Sequence, residues 1–574
     1  APRGPRALRS GRNGLMPAST LHSASEAVMQ AAGRLVARGE LAAAEQRLLA
    51  HLREWREDTR ALNALAALLI ETGRRDIAVA VMERLIALEP AVASHHLGLA
   101  ALLAELGRDA ELVPLYQRMC SCLPDSALAH FNLACAFRRA GRDEEALAAH
   151  RRAIALCIEQ PEEAWSNIAA ILADLHRDAE SREALERALE INPRWVPALY
   201  NLGLWHEEHG EREAALSRFG QVLAMDPGMH AARARIAWLR PCPEPADPLL
   251  AEIRSALGAG ALTPSEREDL LFALGKSLED CGHHEEAFEA FDGGNRESRA
   301  RLQPYRREAA EASFRAIREQ LDATWLSAVE AVSAQPLVFI CGMFRSGSTL
   351  LEQMLAEHPG ITAGGELAYF SARLGDASVY PRRAASDAAF RSALGAGYLA
   401  LLSRRFPGSA RLTDKRPDNF LYIGLLAAMF PNARFLHTRR EARDLCVSIW
   451  TQQLQETLGY AADLPDTAHY LRLHDGLMAH WRGFLADRIL TVDYERLVTE
   501  PEPVLRGVCD FLGLDWDPRM LRFHASQKRV RTASLWQIRQ PLYGTSVGRW
   551  RRFAGHLDAL LGQGPGSGGG ADGQ

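Results

Sequence analysis

No run of apolar residues in this sequence approaches the ~18–20 that a membrane-crossing helix requires, so no transmembrane segment is expected. The cysteines are nine, an odd number, and no two fall in CxxC spacing. That argues against a disulfide framework or a zinc site and for buried or free thiols in a reducing, cytoplasmic interior. Charge of one sign is also missing: 67 Lys+Arg against 72 Asp+Glu leave a formal net charge of −5. Nothing global therefore points to nucleic acid or to a membrane surface. The opening stretch APRGPRALRSGRNGL lacks the apolar segment of a secretory signal, and Met16 is the expected natural start. The closing GQGPGSGGGADGQ has nothing to pack and is expected to be a flexible tail.

What is present suits a soluble, multidomain chain. The 574 residues are 47% apolar and 24% charged, and that length is too great for one core. Gly39, Gly73, Gly107, Gly141, His176 and Gly210 recur at intervals of 34, 34, 34, 35 and 34 residues. Five positions later stands a small residue in most units: Ala44, Ala78, Ala146, Ser181 and Ala215, with Leu112 the exception. Pro90, Pro124, Pro193 and Pro227 close four of the units. Glycine supplies a turn, the small residue lets two helices approach, and proline stops the second helix. This pattern resembles the tetratricopeptide repeat, and the segment CGHHEEAFEAFD around Gly282 looks like a further unit after a Pro-rich interruption at 240–248. The resemblance implies a superhelix open to a peptide or protein partner.

From about residue 334 the text alternates strands and helices. LVFICGM (337–343), ARFLHTR (433–439) and RILTVDY (488–494) read as buried strands with amphipathic helices between them, which predicts a parallel sheet covered on both faces. The expected layout is an unstructured start (1–22), a repeat array (23–240), further helical repeat and connector (241–333), an α/β domain (334–557) and a Gly-rich tail (558–574). The first strand ends in Gly342, and Gly342-x4-Gly347-Ser348-Thr349 follows the phosphate-loop pattern except that Ser348 replaces its lysine. A strand–loop–helix of this kind offers backbone N–H groups and a helix dipole to an anion. Loss of the lysine argues against nucleotide triphosphate hydrolysis, and Arg345 supplies a forked cation instead. Arg439-Arg440 and Tyr494 fall at the same carboxyl edge, where ligands of such sheets sit. The basic run Arg522, Lys528, Arg529, Arg531, Arg539, Arg549, Arg551 and Arg552 reads as a solvated face or as a ring about an anionic ligand.

The blocks FRSGSTLLEQMLAEHPGITAGGE (344–366), LTDKRPDNF (412–420), FPNARFLHTRREARDLCVSIW (430–450), VDYERLV (492–498) and SLWQIRQPLYGTSVGRW (534–550) resemble the sulfotransferase superfamily. Its protein-tyrosine sulfotransferase branch, and bacterial proteins that join tetratricopeptide repeats to a sulfotransferase domain, are the most similar. The resemblance implies 3′-phosphoadenosine 5′-phosphosulfate as co-substrate and no metal. It places Arg345, Ser346, Gly347, Ser348 and Thr349 on the 5′-phosphosulfate and Arg440 and Ser448 on the 3′-phosphate. Tyr494, Ser534 and Arg549 fall at later nucleotide positions, the last with arginine where the family has lysine.

By the same resemblance Glu366 is the general base for an acceptor hydroxyl, and Lys415 with Arg345 supplies the cations that offset charge on the departing phosphate. His437 is a rival base better read as a strand-end core residue, and His358 packs at a helix end. Two arginines of the tyrosine-specific branch, which help hold the acceptor peptide, are replaced by Ala368 and Ala372, with Arg373 nearby. The acceptor is therefore a peptide, glycan or small metabolite hydroxyl, and a homodimer is compatible with the sequence. The competing readings are a phosphate-loop kinase, which the missing lysine disfavours, and a scaffold whose transferase domain is inactive. Intact Arg345, Glu366, Lys415, Arg440 and Ser448 argue against the scaffold.

Overall fold

The computed structural model describes residues 18–175, 177–260, 262–375, 379–409, 411–454, 458–525, 542 and 546–561. It divides into two compact units, residues 1–201 and 202–574. The first unit is all helical, a succession of antiparallel pairs from Ala18–Ala37 and Leu41–Glu54 to Pro161–Asp174 and Asp178–Ile191. Each helix packs on the next. Residues 18–22, expected to be unstructured, are helical, because the Ala- and Ser-containing segment that follows continues without a breaker to Ala37.

The repeat glycines do what their period predicts. Gly39, Gly73, Gly107 and Gly141 all have φ between 68° and 76°, the left-handed region that a side chain resists. After each, the next N–H reaches back to the preceding helix: Glu40 to Leu35 O (2.9 Å), Arg74 to Leu69 O (2.8 Å), Arg108 to Leu103 O (2.9 Å) and Arg142 to Phe137 O (2.9 Å). This closes the helix end and satisfies an otherwise orphaned carbonyl. Arg177 makes the same bond to Leu172 O (2.8 Å), whereas His176 lies outside the described residues. Ala44, Ala78, Ala146 and Ser181 are buried where helices meet. At Leu112, where the small residue is missing, the helix is preceded by a tighter turn, Asp109–Glu111.

The second unit begins with more helices of the same kind, Arg212–Met225, His230–Leu239, Pro248–Gly258, Pro264–Asp280 and His284–Arg301. Gly282 (φ 79°) makes the repeat turn and Ala287, five residues on, is fully buried. The α/β part that follows carries a five-stranded parallel sheet: β1 Val338–Gly342, β2 Thr362–Ala363, β3 Leu412–Lys415, β4 Arg434–Arg439 and β5 Ile489–Asp493, in the order β2-β3-β1-β4-β5. The three strands expected from apolar runs are β1, β4 and β5. The short β2 and β3 were not expected, since β3 reads LTDK and carries two charges, yet all four of its residues are buried.

Alternate residues of β1 feed opposite faces. Phe339 and Cys341 join Phe435, Tyr398 and Trp481 on one side. Val338 and Ile340 join Leu436, Val492 and Leu351 of the helix Ser348–Ala356 on the other. A third cluster joins the region expected as a connector to the α/β part: Phe272, Leu278 and Phe291 pack with Met343, Leu445, Ile449 and Trp450. Burying these side chains in one core fixes helices 264–301 to the element after β4. The nine cysteines carry no disulfide. No described helix is long and apolar enough to cross a membrane.

Glycine is required where helices cross most closely. A methyl group at Gly275 would lie 2.8 Å from the Phe291 ring, whereas at Gly220 it would meet nothing within 4 Å. Gly275→Ala is expected to destabilise the second unit by about 1–3 kcal/mol, and Gly220→Ala, in a helix interior, to stabilise it by up to about 1 kcal/mol. Denaturant titration of both variants checks the opposite signs.

Candidate functional site

The carboxyl edge of the sheet is built around an unusually tight exit from β1. Gly342 lies so close to β4 that an added Cβ would stand 2.4 Å from Thr438 O. The loop then turns through two left-handed residues, Arg345 (φ 67°) and Gly347 (φ 98°), before the helix Ser348–Ala356 begins. A non-glycine residue held there costs of order 1 kcal/mol or more and persists only where its surroundings impose it. Ser346 supplies part of that restraint: its Oγ lies 2.6 Å from both Met343 O and Thr438 Oγ1. Its hydroxyl is thus spent on holding the loop to β4. Ser348 and Thr349 form the buried first turn of the helix, whose N–H groups and dipole favour an anion.

Four of the residues named from the sequence converge on this loop. Arg345 Nε donates to Ser448 Oγ (3.2 Å), and Arg440 Nη1 donates to Arg345 O (3.3 Å). Arg440 Nη2 donates to Ser546 O (2.6 Å), and its guanidinium lies 4.7 Å over the Tyr494 ring. That ring also closes on Gly347, where an added Cβ would meet it at 2.6 Å. Arg440 is 9% exposed, and its Nε has no hydrogen-bond partner among the described residues. Burial lowers the guanidinium's affinity for its proton, with Tyr494 and Asp444 opposing that shift. A buried cation with an unsatisfied donor is costly alone and well matched to a phosphate oxygen. Beside Ser346, Thr438 and Arg440 opens a cavity of about 560 Å³, with Met343, Leu445 and Leu471 among its apolar walls.

The other pair lies across β1. Lys415, the last residue of β3, is 1% exposed and donates its Nζ to Glu366 Oε1; the Glu366 side chain is 38% exposed. Lys415 is therefore a buried strand-end ammonium that faces out through one carboxylate. Lys276, Lys415 and Lys528 are the only lysines of the chain. In a sequence that otherwise uses arginine for its cations, a lysine in this buried position suits a compact charge with transferable protons.

Glu366 is carried by the turn after β2. Gly364 N–H donates to Thr413 O (2.9 Å), Lys415 N–H donates to Gly365 O (2.9 Å), and Gly365 has φ 67°. A Cβ at Gly364 would lie 2.3 Å from Thr413 O, so the turn lies flat against β3.

The remaining positions divide. Arg549 is committed elsewhere: Nε and Nη2 donate to Glu279 (2.7 and 2.5 Å) and Nη1 to Thr451 Oγ1 (3.0 Å). Glu279, on the helix Pro264–Asp280, is pushed up by burial but held low on balance by Arg549 and Arg552. Arg549, expected at a nucleotide position, stands in this structure in an ion pair with the helical segment. Ser534 lies outside the described residues. His437 is fully buried and held neutral, first by burial and then by His474 and Arg482. His358 accepts from Gly360 N–H (3.0 Å) and lies 2.9 Å from Asp515 O, at its helix end. Arg373 stacks 4.0 Å over the ring of Tyr369 on its own helix.

Three acidic groups that the sequence reading passed over complete the edge. Asp444 accepts from Gly548 N–H (2.5 Å) and Trp550 N–H (2.8 Å), tying the returning segment to the helix after β4. Glu352 lies buried beneath the Glu366 turn. Asp414 is buried on the opposite face of β3, where it accepts from Tyr398 Oη (2.7 Å) and Asn419 Nδ2 (3.2 Å). Charged residues within a short motif, Asp414 and Asp444, were visible as types but not as partners.

Fold and edge together define an α/β domain of the strand–loop–helix kind, following a helical repeat array. Residues 336–518 match the Sulfotransferase family, and residues 161–227 and 129–163 match the tetratricopeptide repeat. The chain thus carries tetratricopeptide repeats followed by a sulfotransferase-family domain. It is 28% identical over 412 residues to an uncharacterized protein of Aquifex aeolicus, covering 68% of this chain and 53% of that one. To a protein-tyrosine sulfotransferase of Drosophila melanogaster it is 27% identical over 206 residues, covering 32% and 40% respectively. It therefore spans about half the length, or less, of these relatives. The sulfotransferase domain of the Synechococcus PCC 7002 olefin synthase aligns at 24% identity with a TM-score of 0.30, covering 39% of this chain and 89% of that one.

Burial pushes the Asp414 carboxyl up to about 7, with Tyr398 and Asn419 opposing and Glu352 adding to the rise. A carboxyl whose folded pKa exceeds its unfolded value of 3.8 holds its proton longer in the native state. Its stabilising contribution is full below about pH 4 and is lost as pH rises to about 7. Relative to wild type, Asp414→Asn is expected to flatten the stability–pH curve across that window by a few kcal/mol. Urea titrations at pH 5 and pH 8 measure the difference.

Proposed function

We propose that this protein transfers a sulfuryl group from 3′-phosphoadenosine 5′-phosphosulfate to a hydroxyl acceptor. The observation that carries the reading is the contact of Lys415 with Glu366 at the same sheet edge as the loop 342–349, within the span that matches the sulfotransferase family. Arg440, with its unpartnered buried Nε, together with Ser448, suits the 3′-phosphate of the donor. The loop backbone, Arg345 and the first turn of helix 348–356 suit the 5′-phosphosulfate, and Tyr494 offers a ring to the nucleotide.

In the reaction the acceptor oxygen forms a bond to sulfur as the bond from sulfur to the bridging phosphate oxygen breaks. The hydroxyl proton passes to the Glu366 carboxylate, and the products are a sulfate ester and 3′-phosphoadenosine 5′-phosphate. Negative charge grows on the leaving phosphate, where Lys415 and Arg345 offset it. Glu366 and Lys415 are paired to each other in this structure, so an entering hydroxyl takes its place between an ammonium and a carboxylate already set at hydrogen-bond range. The repeat array offers a surface for a peptide or protein partner.

The test is transfer of labelled sulfate from the donor to a panel of p-nitrophenol, acidic tyrosine peptides and oligosaccharides. Glu366→Gln is expected to lower turnover by about 10²–10⁴ while the product nucleotide still binds, and Lys415→Ala by about 10²–10³. Wild-type activity retained in Glu366→Gln overturns Glu366 as the base, and activation of ATP in place of the sulfate donor overturns the reaction class.

A further inference from the structure

Glu352, on the helix that leaves the phosphate loop, bonds to the segment that carries Glu366 and to the strand that carries Lys415. It is 2% exposed. Its Oε1 accepts from Gly365 N–H at 3.1 Å, the residue directly before Glu366, and from Thr413 Oγ1 at 2.9 Å, two residues before Lys415 on the same face of β3. Burial raises the affinity of the Glu352 carboxyl for its proton, with Lys415, Thr413 and Gly365 opposing that rise and Glu366 adding to it. A buried acid in a helix interior, bonded to two separate segments, has no reason to be there for packing alone, since an apolar residue would fill the space at lower cost.

We propose that Glu352 is a positioning residue for sulfuryl transfer. Its side chain pins the Gly364-Gly365 turn to β3 through Gly365 N–H and Thr413 Oγ1, which sets the direction of Glu366. Because Glu352 lies on the helix whose N-terminus faces the donor, it also ties the base to the phosphate loop through one side chain. This rests on the sulfotransferase reading given above.

The decisive comparison is Glu352→Gln with Glu352→Ala. Gln retains an acceptor for Gly365 and Thr413, and its turnover, read with the best acceptor of the panel, is expected to stay within about threefold of wild type. Ala loses the placement, and kcat is expected to fall about tenfold or more while affinity for 3′-phosphoadenosine 5′-phosphate stays within about threefold of wild type.

Wild-type turnover in Glu352→Ala, beside an active wild type, overturns this role and leaves the reaction standing. Loss of nucleotide binding in parallel with activity in both variants overturns it too, since that marks a merely structural group. A wild type that neither binds the nucleotide nor transfers sulfate overturns the reading itself and this role with it.

Discussion

A single buried ammonium organises the carboxyl edge of the sheet in this protein. Lys415 is almost wholly removed from water at the end of β3, where an uncompensated charge costs several kcal/mol. It is tolerated because Glu366 meets it directly. Glu366 stands on the turn after β2, and Glu352, on the helix after the phosphate loop, accepts from Gly365 N–H and Thr413 Oγ1, so the three segments converge there. The glycines at 364 and 365 permit that convergence, one by lacking a Cβ against Thr413 O and the other by its left-handed backbone. Such over-determined placement is what sites that must hold reacting groups in fixed geometry require.

The second constraint acts on the opposite side of β1. Arg440 and Arg345 are like charges brought together around one loop, linked through Arg345 O and Ser448. Their proximity is supported from a distance: Asp444 anchors the returning segment that places Ser546 O on Arg440, and Glu279 clamps Arg549 and Arg552 against the helices before the sheet. Those helices share an apolar core with the element after β4. The helices 264–301 are thus part of the body that shapes this loop edge, through Glu279 and the shared apolar core.

Periodic features were legible in the sequence and pairwise ones were not. The glycine at every thirty-fourth position announces the turn whose left-handed φ and back-bonding the structure displays. Three apolar runs gave β1, β4 and β5 because a parallel strand buried on both faces must be apolar. β3 escaped notice because it violates that rule: Thr413, Asp414 and Lys415 are buried only because Glu352, Tyr398 with Asn419, and Glu366 satisfy them. Glu352 was passed over because nothing in LLEQML sets it apart from other helix glutamates, and the partner of Arg549 lies 270 residues away in sequence. Residue types near a motif could be named from resemblance, but which of them meet depends on tertiary contacts that no local pattern encodes.

The central claim, that the edge formed by loop 342–349, Arg440 and Ser448 receives the sulfate donor, is tested most directly by calorimetric titration. The product nucleotide 3′-phosphoadenosine 5′-phosphate is titrated into wild type and Arg440→Ala, both verified as folded by circular dichroism, with ATP as control. The account predicts micromolar binding to wild type, its loss or severe weakening in Arg440→Ala, and no comparable affinity for ATP. Absence of binding to wild type, equal binding by the variant, or preference for ATP would contradict it.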